Sequence, residues 1–311
     1  MVKKASLAII LPAYKGRFLS ETLDSVAAQT CRDFVLYIGD DASPDALQEI
    51  VRPYESRLPL VYHRFDRNLG RTDLAGHWER CIALSDEPLV WLFSDDDLMP
   101  PDGVARVLEA ARTRGMKRGL FRFPLEVIHG DGTVKFHAAP LPSRPVRGYD
   151  LLLDKLGGRV HSAAVEYVFS RDVWQDAGGF VHFPMAWCAD DATWAAFADQ
   201  AGGLVSLPGL PVRWRNAEEA NISNSTAYDA EKLRATCLFL QWIGQRYAAH
   251  RGERELRRAV RRYLTIILRH SVRGNFSLAQ LCHVARAAGE LDSLAGLSIL
   301  YHHLFKIKKL V

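Results

Sequence analysis

The chain has 311 residues, 48% of them hydrophobic and 24% charged, which excludes a disordered or fibrous protein and allows one large domain with an extension. The net charge of +4 is uneven: residues 227–311 contain 15 Lys and Arg against 6 Asp and Glu, and the first 226 residues contain 25 against 30. An acidic body with a basic tail predicts two separate roles. The five cysteines lie far apart without a C-x-x-C pair, which favours a reducing compartment and argues against a disulfide framework or a cysteine zinc site.

The first residues, MVKKAS, include two lysines and precede the apolar run Leu7–Leu11, which Pro12 closes. The run lacks a small-residue cleavage site, so we interpret it as a first buried strand and not as a signal peptide. No run reaches the roughly 18 apolar residues of a membrane-spanning helix, and we expect a cytoplasmic protein.

Strands and helices alternate through the first hundred residues or so, which predicts a largely parallel sheet with helices on both faces. Ligands bind such sheets outside the carboxyl ends of the strands. The predicted strands are Leu7–Leu11, Phe34–Ile38, Leu60–His63 and Leu89–Phe93, and the predicted helices are Phe18–Gln29, Pro44–Tyr54, Leu74–Leu84 and one from Pro100.

The rest of the chain follows a different pattern. A hairpin is predicted around Gly130–Gly132, a strand over Ala164–Ser170, and a helix over Ala192–Gly202. After Ala227 the pattern is almost entirely helical.

Three polar clusters follow predicted strands, at residues 12–14, 40–41 and 95–97. Carboxylates are suitable ligands for Mg²⁺ or Mn²⁺, which bind through one or two of them together with substrate phosphates, so a nucleoside diphosphate is a natural ligand. The alternative for 95–97 is a solvated loop that caps the next helix. Residues 40–41 could equally be ordinary turn residues.

A second acidic pair, Asp190 and Asp191, precedes a helical stretch. These carboxylates could interact with the helix dipole, or one of them could act as a general base. Arg213 and Arg215 share one face of a strand, where they could bind phosphate or a sugar acid, or pair with the glutamates at 218 and 219. His161, His182 and Glu166 lie near candidate loops and are assigned no role.

The order of these motifs resembles the family 2 glycosyltransferases of the GT-A fold. The matching segments are LAIILPAYKGRFLSETLDSVAAQTCRDFVLYIGDDASPD, WLFSDDDLMPPDG, and AGGF followed by the acidic pair. The resemblance implies a GT-A catalytic domain over 1–225, with a nucleotide-binding half (1–110) and an acceptor-binding half (111–225). A helical basic extension would cover 226–311.

The resemblance also implies a role for each matching residue. Pro12, Ala13, Tyr14, Asp40 and Asp41 would hold the nucleoside; Asn68 and Arg71 would line the nucleotide; Asp95 would contact the ribose and diphosphate; Asp96 and Asp97 would bind the metal; Arg213 and Arg215 would contact the diphosphate or the acceptor; and Asp191 would be the base.

Two positions depart from the family pattern. Ser94 stands where many relatives have an aspartate, so the metal ligand could be Asp96, or Asp95 together with Asp97. Asp190 stands where relatives have glutamate, so either acid of the pair could be the base.

The predicted reaction is an inverting, Mn²⁺- or Mg²⁺-assisted transfer of sugar from a nucleotide-diphosphate sugar, with UDP as the expected nucleotide. The acceptor would be a hydroxyl of a glycan or lipid-linked sugar, in the synthesis of a bacterial cell-envelope polysaccharide. The alternatives are a sugar-phosphate nucleotidyltransferase and a non-catalytic nucleotide-sugar-binding relative. A nucleotidyltransferase usually has a Gly-rich loop after the first strand, whereas PAYKGRFLS has one glycine.

The basic tail contains an amphipathic helix from Glu253, with arginines on one side and apolar residues on the other. This helix could bind the inner face of an anionic membrane peripherally, or pack on the catalytic domain with its arginines solvated. No nucleic-acid motif accompanies the charge, so we expect no nucleic-acid partner. The sequence leaves the oligomeric state open.

Overall fold

A seven-stranded sheet lies at the centre of the computed structural model, which describes residues 5–114, 116–217, 227–268 and 276–304. Its strand order is β3-β2-β1-β4-β8-β5-β9, and a three-stranded sheet of order β10-β6-β7 lies beside it. The strands are β1 Leu7–Ala13, β2 Phe34–Asp40, β3 Leu60–Arg64, β4 Leu89–Leu92, β5 Leu120–Arg122, β6 Leu125–Ile128, β7 Val134–His137, β8 Tyr167–Ser170, β9 Val205–Ser206 and β10 Val212–Arg215.

Helices cover both faces of the large sheet and continue after it, as the sequence predicted, so the fold class is confirmed. They are α1 Leu19–Ala27, α2 Leu47–Val51, α3 Leu74–Ile82, α4 Gly103–Thr113, α5 Gly148–Leu156, α6 Arg171–Asp176, α7 Ala189–Gln200, α8 Asp229–Arg246, α9 Arg254–Ile266, α10 Leu278–Gly289 and α11 Ser293–Leu304.

The continuous apolar run of β1 reflects burial on both of its faces. Leu7, Ile9 and Leu11 pack in one apolar cluster with α1 and α4. Ala8 and Ile10 pack in a second cluster with α3 and α7 on the opposite face. This two-sided burial fixes β1 in the middle of the sheet, between β2 and β4.

The sheet directions bring several chain segments to one edge. β1 runs parallel to β2 and β4, whereas β8 runs antiparallel to both β4 and β5. The start of β8 at Tyr167 and the end of β5 at Arg122 therefore lie on the same side as the ends of β1, β2 and β4. We call this side of the sheet the carboxyl edge.

Some predicted helix limits differ from those observed. The first helix begins after Phe18 and ends at Ala27, two residues before the predicted limit. The helix predicted over 44–54 is split into α2 and a 3₁₀ turn over Arg52–Tyr54, which contains Pro53. Proline has no N–H to donate within a helix, which explains the change of pitch. The predicted hairpin is confirmed as β6–β7.

The amphipathic basic helix is α9, and its apolar side is buried. Leu256, Val260 and Leu264 pack in a cluster shared with α5, α7 and the other C-terminal helices. Its arginines at 254, 257, 258, 261 and 262 are exposed, and Arg261 pairs with Asp292. The packing interpretation therefore holds, which leaves only the arginine side of α9 for contact with an anionic surface.

A membrane-crossing helix is absent from the described part of the chain, because none of its helices combines the necessary length with sufficient hydropathy.

Candidate functional site

The loop after β4, residues 94–97, forms the centre of the carboxyl edge, and we call it the acidic loop. Asp95 Oδ2 accepts hydrogen bonds from the backbone N–H groups of Tyr14 (2.7 Å) and Lys15 (2.8 Å) at the end of β1. Burial and the neighbouring Asp96 carboxylate raise the pKa of Asp95 to about 6. Two partly buried acids held this close would be stabilised by a cation between them.

Asp96 and Asp97 point to different surroundings. Asp96 is partly exposed, and its Oδ1 accepts a hydrogen bond from Ser94 Oγ at 2.5 Å. Asp97 is 1% exposed, and its Oδ1 accepts from the backbone N–H of Arg215 at 2.6 Å. Asp97 therefore holds β10 against the acidic loop, whereas Asp95 and Asp96 remain at the edge.

Asp95 and Asp96 fit the chemistry of a hard divalent cation. Within the described residues, no group of three or more His, Cys, Asp or Glu side chains could hold a metal by itself. Mg²⁺ and Mn²⁺ are commonly bound by one or two carboxylates that share the ion with substrate phosphates. A pair of adjacent carboxylates at a strand end matches that requirement.

Arg215 and Arg213 fasten the small sheet to the acidic loop. The Arg215 side chain is 1% exposed and donates to Asp96 O (2.8 Å), Gly130 O (2.8 Å) and Glu21 Oε2 (2.6 Å). Arg213 donates to Glu126 Oε2 at 2.6 Å and to the carbonyl oxygen of Gly132. Both guanidinium groups donate to protein groups in this conformation, and a contact of Arg213 and Arg215 with the diphosphate or the acceptor stays a prediction. The predicted partners at 218 and 219 lie outside the described residues.

Asp40 is fully buried and organises the end of β2. Its Oδ2 accepts hydrogen bonds from Tyr62 OH (2.5 Å) and Arg64 Nη1 (2.6 Å). Its Oδ1 accepts from the backbone N–H of Ser43 at 2.8 Å. The Ser43 hydroxyl in turn donates to the carbonyl oxygen of Tyr14. Asp40 thus shapes the predicted nucleoside region through the backbone around it.

Asp41 fixes the loop that contains Asn68 and Arg71. It accepts hydrogen bonds from the backbone N–H groups of Leu69 and Gly70, each at 2.8 Å, and pairs with Arg80. A Cβ at position 70 would lie 2.7 Å from the Asp41 carboxylate, which explains the glycine there. Asp41 is 2% exposed. Both predicted nucleoside-binding aspartates therefore make structural contacts in this conformation.

The other predicted nucleoside residues line the carboxyl edge. Pro12 and Ala13 end β1, and the Tyr14 side chain is 40% exposed just beyond them. Asn68 Oδ1 accepts a hydrogen bond from the backbone N–H of Arg71 at 2.9 Å, and the Arg71 side chain is exposed. The edge therefore has an aromatic ring, Tyr14, on the β1 side of β2 and a cation, Arg71, on the β3 side.

The acid pair, Asp190 and Asp191, lies in the first turn of α7. Three residues without the freedom of glycine, Met185, Ala186 and Cys188, have φ values of 59°, 51° and 63° directly before that turn. Such left-handed conformations are costly and are often found at functional sites.

Electrostatics distinguish the two acids. Asp191 Oδ1 is 2.6 Å from Lys155 Nζ of α5. Burial and the charge of Asp191 raise the pKa of Asp190 to about 7. The pair thus combines an ion-paired carboxylate with one that titrates near neutral pH, which is the range suited to a general base or its proton-holding neighbour.

Buried charges connect the acid pair to the carboxyl edge. Glu166, directly before β8, is fully buried and lies 3.3 Å from Arg122 Nε at the end of β5. Glu166 is also close enough to influence the titration of Asp190. Sequence reasoning missed Lys155 and Arg122 and gave Glu166 no role. Their available signal was a charged residue within an apolar stretch, such as Arg122 in LFRF or Glu166 in AVEYVF.

The family model described as "Glycosyl transferase family 2" matches residues 8–116, which include β1 to β4 and the acidic loop. These residues are a glycosyl transferase family 2 domain. The resemblance found in the sequence is thereby confirmed for residues 8–116, the part of the fold that contains the predicted nucleotide edge.

Two curated relatives of the family 2 domain are the validoxylamine A glucosyltransferases of Streptomyces hygroscopicus subsp. jinggangensis (strain 5008) and subsp. limoneus. Each is 33% identical over 107 residues, which are 33% of this chain and 25% or 23% of the relative. The alignment therefore spans about a quarter of the length of these relatives.

Solved structures resemble nearly the whole chain. TarS 1-349 of S. aureus, in complex with UDP-GlcNAc, superposes with a TM-score of 0.67 at 12% identity over 97% of this chain and 92% of that chain. The mannosyltransferase PcManGT of Pyrobaculum calidifontis, in complex with GDP-Man and Mn²⁺, gives 0.52 at 15% identity over 99% and 89%. At these identities the likeness establishes the GT-A fold around the family 2 domain.

The buried position of Arg215 leads to a stability prediction. Arg215→Met should lower the free energy of unfolding by about 3 kcal/mol, because it leaves buried carbonyl groups without a donor. Arg213→Met, at a more exposed site in the same strand, should cost about 1 kcal/mol. Urea unfolding of both variants measures the difference. Equal losses would contradict the bracing role of Arg215.

The titration of Asp190 leads to a pH prediction. An aspartate has an unfolded pKa of about 3.9, so the folded protein binds the extra proton more tightly between about pH 4 and 7. This group therefore makes the protein less stable as pH rises through that range. Asp190→Asn lacks the titration, so its stability relative to the wild type should rise by about 4 kcal/mol from pH 4 to pH 8. Parallel pH–stability curves of the two proteins would refute this.

Proposed function

We propose that the chain is an inverting glycosyltransferase. It moves a sugar from a nucleotide-diphosphate sugar, with UDP as the expected nucleotide, to a hydroxyl of a glycan or lipid-linked acceptor. The observation that carries this proposal is the arrangement at the carboxyl edge. There the acidic loop is hydrogen-bonded to the end of β1 through Asp95. The buried ion pair of Glu166 and Arg122 connects the acid pair to the same side of the sheet.

The donor half uses the residues of the family 2 domain. Tyr14 and Arg71 flank the edge and would contact the nucleoside and the charged part of the donor. Asp96, with Asp95 beside it, would hold Mn²⁺ or Mg²⁺. When bound, such an ion supplies positive charge that offsets the charge developing on the departing diphosphate. Asp97 is not assigned to the metal, because its carboxylate is buried and accepts a hydrogen bond from the backbone of β10.

The acceptor half uses the acid pair. Two adjacent acids resist carrying two negative charges, and the Asp190 carboxyl, with a pKa of about 7, holds the proton below about pH 7. Asp191, paired with Lys155, then carries the charge and takes the proton of the acceptor hydroxyl. The acceptor oxygen bonds to the anomeric carbon as the bond to the diphosphate breaks. Attack opposite the leaving group inverts that carbon.

The relatives support the donor class. Structures of the same fold bind UDP-GlcNAc and GDP-Man, the latter with Mn²⁺, and the curated relatives are glucosyltransferases. A role in cell-envelope polysaccharide synthesis belongs to the proposal. So does a peripheral membrane contact through the exposed arginines of α9, which would bring a lipid-linked acceptor near. The division into a catalytic domain to residue 225 and an extension after it remains part of the same proposal.

A thermal-shift screen of nucleoside diphosphates and nucleotide sugars, with and without Mn²⁺, tests the donor site. The wild type should gain several °C with its nucleotide and Mn²⁺, as expected for ligand well above its dissociation constant. Asp96→Ala should lose the Mn²⁺-dependent part of that gain. Asp131→Ala, at the exposed tip of the β6–β7 hairpin, is the matched control and should keep it. A full shift in Asp96→Ala would place the metal elsewhere.

A turnover assay tests the base. Asp191→Asn should bind the donor with unchanged affinity while nucleotide release falls by about 10²-fold or more, because an amide cannot accept the proton. Asp190→Asn should retain more activity and lose the pH dependence near 7. A reversal of the two results would make Asp190 the base.

A further inference from the structure

Lys155 points from α5 into the buried space beside the acid pair. Its Nζ lies 2.6 Å from Asp191 Oδ1 and donates a hydrogen bond to Ser162 Oγ at 2.7 Å. Only 12% of its side chain is exposed. A buried amino group is unfavourable unless it is paired and hydrogen-bonded, so these two contacts fix both its position and its charge.

The charge on Lys155 is secured by the acids. Burial alone would favour the neutral amine, but the Asp191 and Asp190 carboxylates outweigh it and raise the pKa of Lys155. Lys155 is therefore an ammonium group throughout the range in which Asp190 titrates. Its contact is with Asp191, so the positive charge is applied unequally to the two acids.

Other titratable and charged groups surround the acid pair, and they differ from Lys155, which contacts Asp191 directly. Arg122 is paired with Glu166 and donates to the carbonyl oxygen of His161, so its charge is already partly compensated. The groups that influence the pair or its neighbours electrostatically are Lys155 of α5, Arg122 of β5, His161, Glu166 and Tyr167 at the start of β8, Cys188 before α7, and Tyr263 of α9.

We propose that Lys155 is a positioning residue that fixes the single negative charge of the acid pair on Asp191 and orients that carboxylate, with Ser162 holding the ammonium group in place. This inference rests on the proposed function, in which Asp191 takes the proton of the acceptor hydroxyl. Lys155 touches neither donor nor acceptor in this scheme. Without it, the two adjacent acids would share one charge, and the carboxylate that faces the acceptor would be protonated for part of the time.

The test uses Lys155→Met, which removes the charge and keeps an unbranched side chain, and Lys155→Arg, which restores a cation. The control is Arg147→Met, which removes a cation at the start of the same helix from an ion pair with Asp150 whose arginine is 76% exposed. Three quantities are measured in the full chain: the ¹³C carboxyl shifts of Asp190 and Asp191 against pH, the thermal shift with nucleotide, and the pH profile of nucleotide release from the sugar donor.

In the wild type, the first negative charge of the pair should appear at the Asp191 signal, identified by its loss in Asp191→Asn. In Lys155→Met the charge should be spread over both signals, and the acid limb of the turnover profile should move up by about one pH unit. That shift corresponds to about tenfold slower nucleotide release on the limb. The nucleotide thermal shift should not change, Lys155→Arg should recover part of the rate, and Arg147→Met should behave as wild type.

Wild-type titration keeps the proposal testable if Lys155→Met fails to fold. A first charge that appears equally on both carboxyls, or on Asp190, would overturn it without any variant. An unchanged acid limb in folded Lys155→Met would overturn it as well, while the glycosyltransferase proposal would stand. The opposite result is equally clear: charge on Asp191 with no nucleotide release from any sugar donor would refute the proposed function and keep the role of Lys155 in the acid pair.

Discussion

The compensation of crowded carboxylates by buried cations is the constraint on which the carboxyl edge depends. Two of the groups of adjacent aspartates, the acidic loop and the acid pair, each have one buried cation against them. Burial raises the pKa of Asp96 and of Asp97, and Arg215, which lies beneath the acidic loop, partly offsets that effect. Lys155 contacts Asp191 of the acid pair. In both places one carboxylate is held by the protein while a neighbour is left to titrate or to bind.

This arrangement explains which parts of the site could be predicted. Apolar runs and their spacing give the alternation of strands and helices, because burial on both faces imposes it locally. The positions of the acidic clusters at strand ends follow from the same alternation. The direction of each carboxylate does not, since Asp97 turns inward only because β10, more than a hundred residues later, offers it a backbone N–H. Asp41 likewise turns toward the loop at Leu69 and Gly70.

Arginine pairs illustrate the same limit. The sequence predicts that Arg213 and Arg215 share one face of a strand, and this is correct. A pair of exposed arginines that bind phosphate would have the same spacing in the sequence. The difference lies in the hairpin opposite them, whose carbonyl oxygens at Gly130 and Gly132 take up their donors. Local spacing gives the face of a strand, whereas only the packing of another element shows whether that face is open to a ligand.

The C-terminal helices contribute to the acid pair as well as to the basic surface. The left-handed turn at Met185, Ala186 and Cys188 is costly and would relax if it were unsupported. Tyr263 of α9 lies 3.0 Å from Cys188 Sγ, and the ammonium group of Lys232 in α8 lies 5.1 Å from the centre of the Trp187 ring. The apolar burial that joins α8 and α9 to α5 and α7 therefore also stabilises the strained entry to α7. The position of Asp190 and Asp191 depends on helices that lie outside the family 2 domain, which is why that domain's sequence alone could not define the complete site.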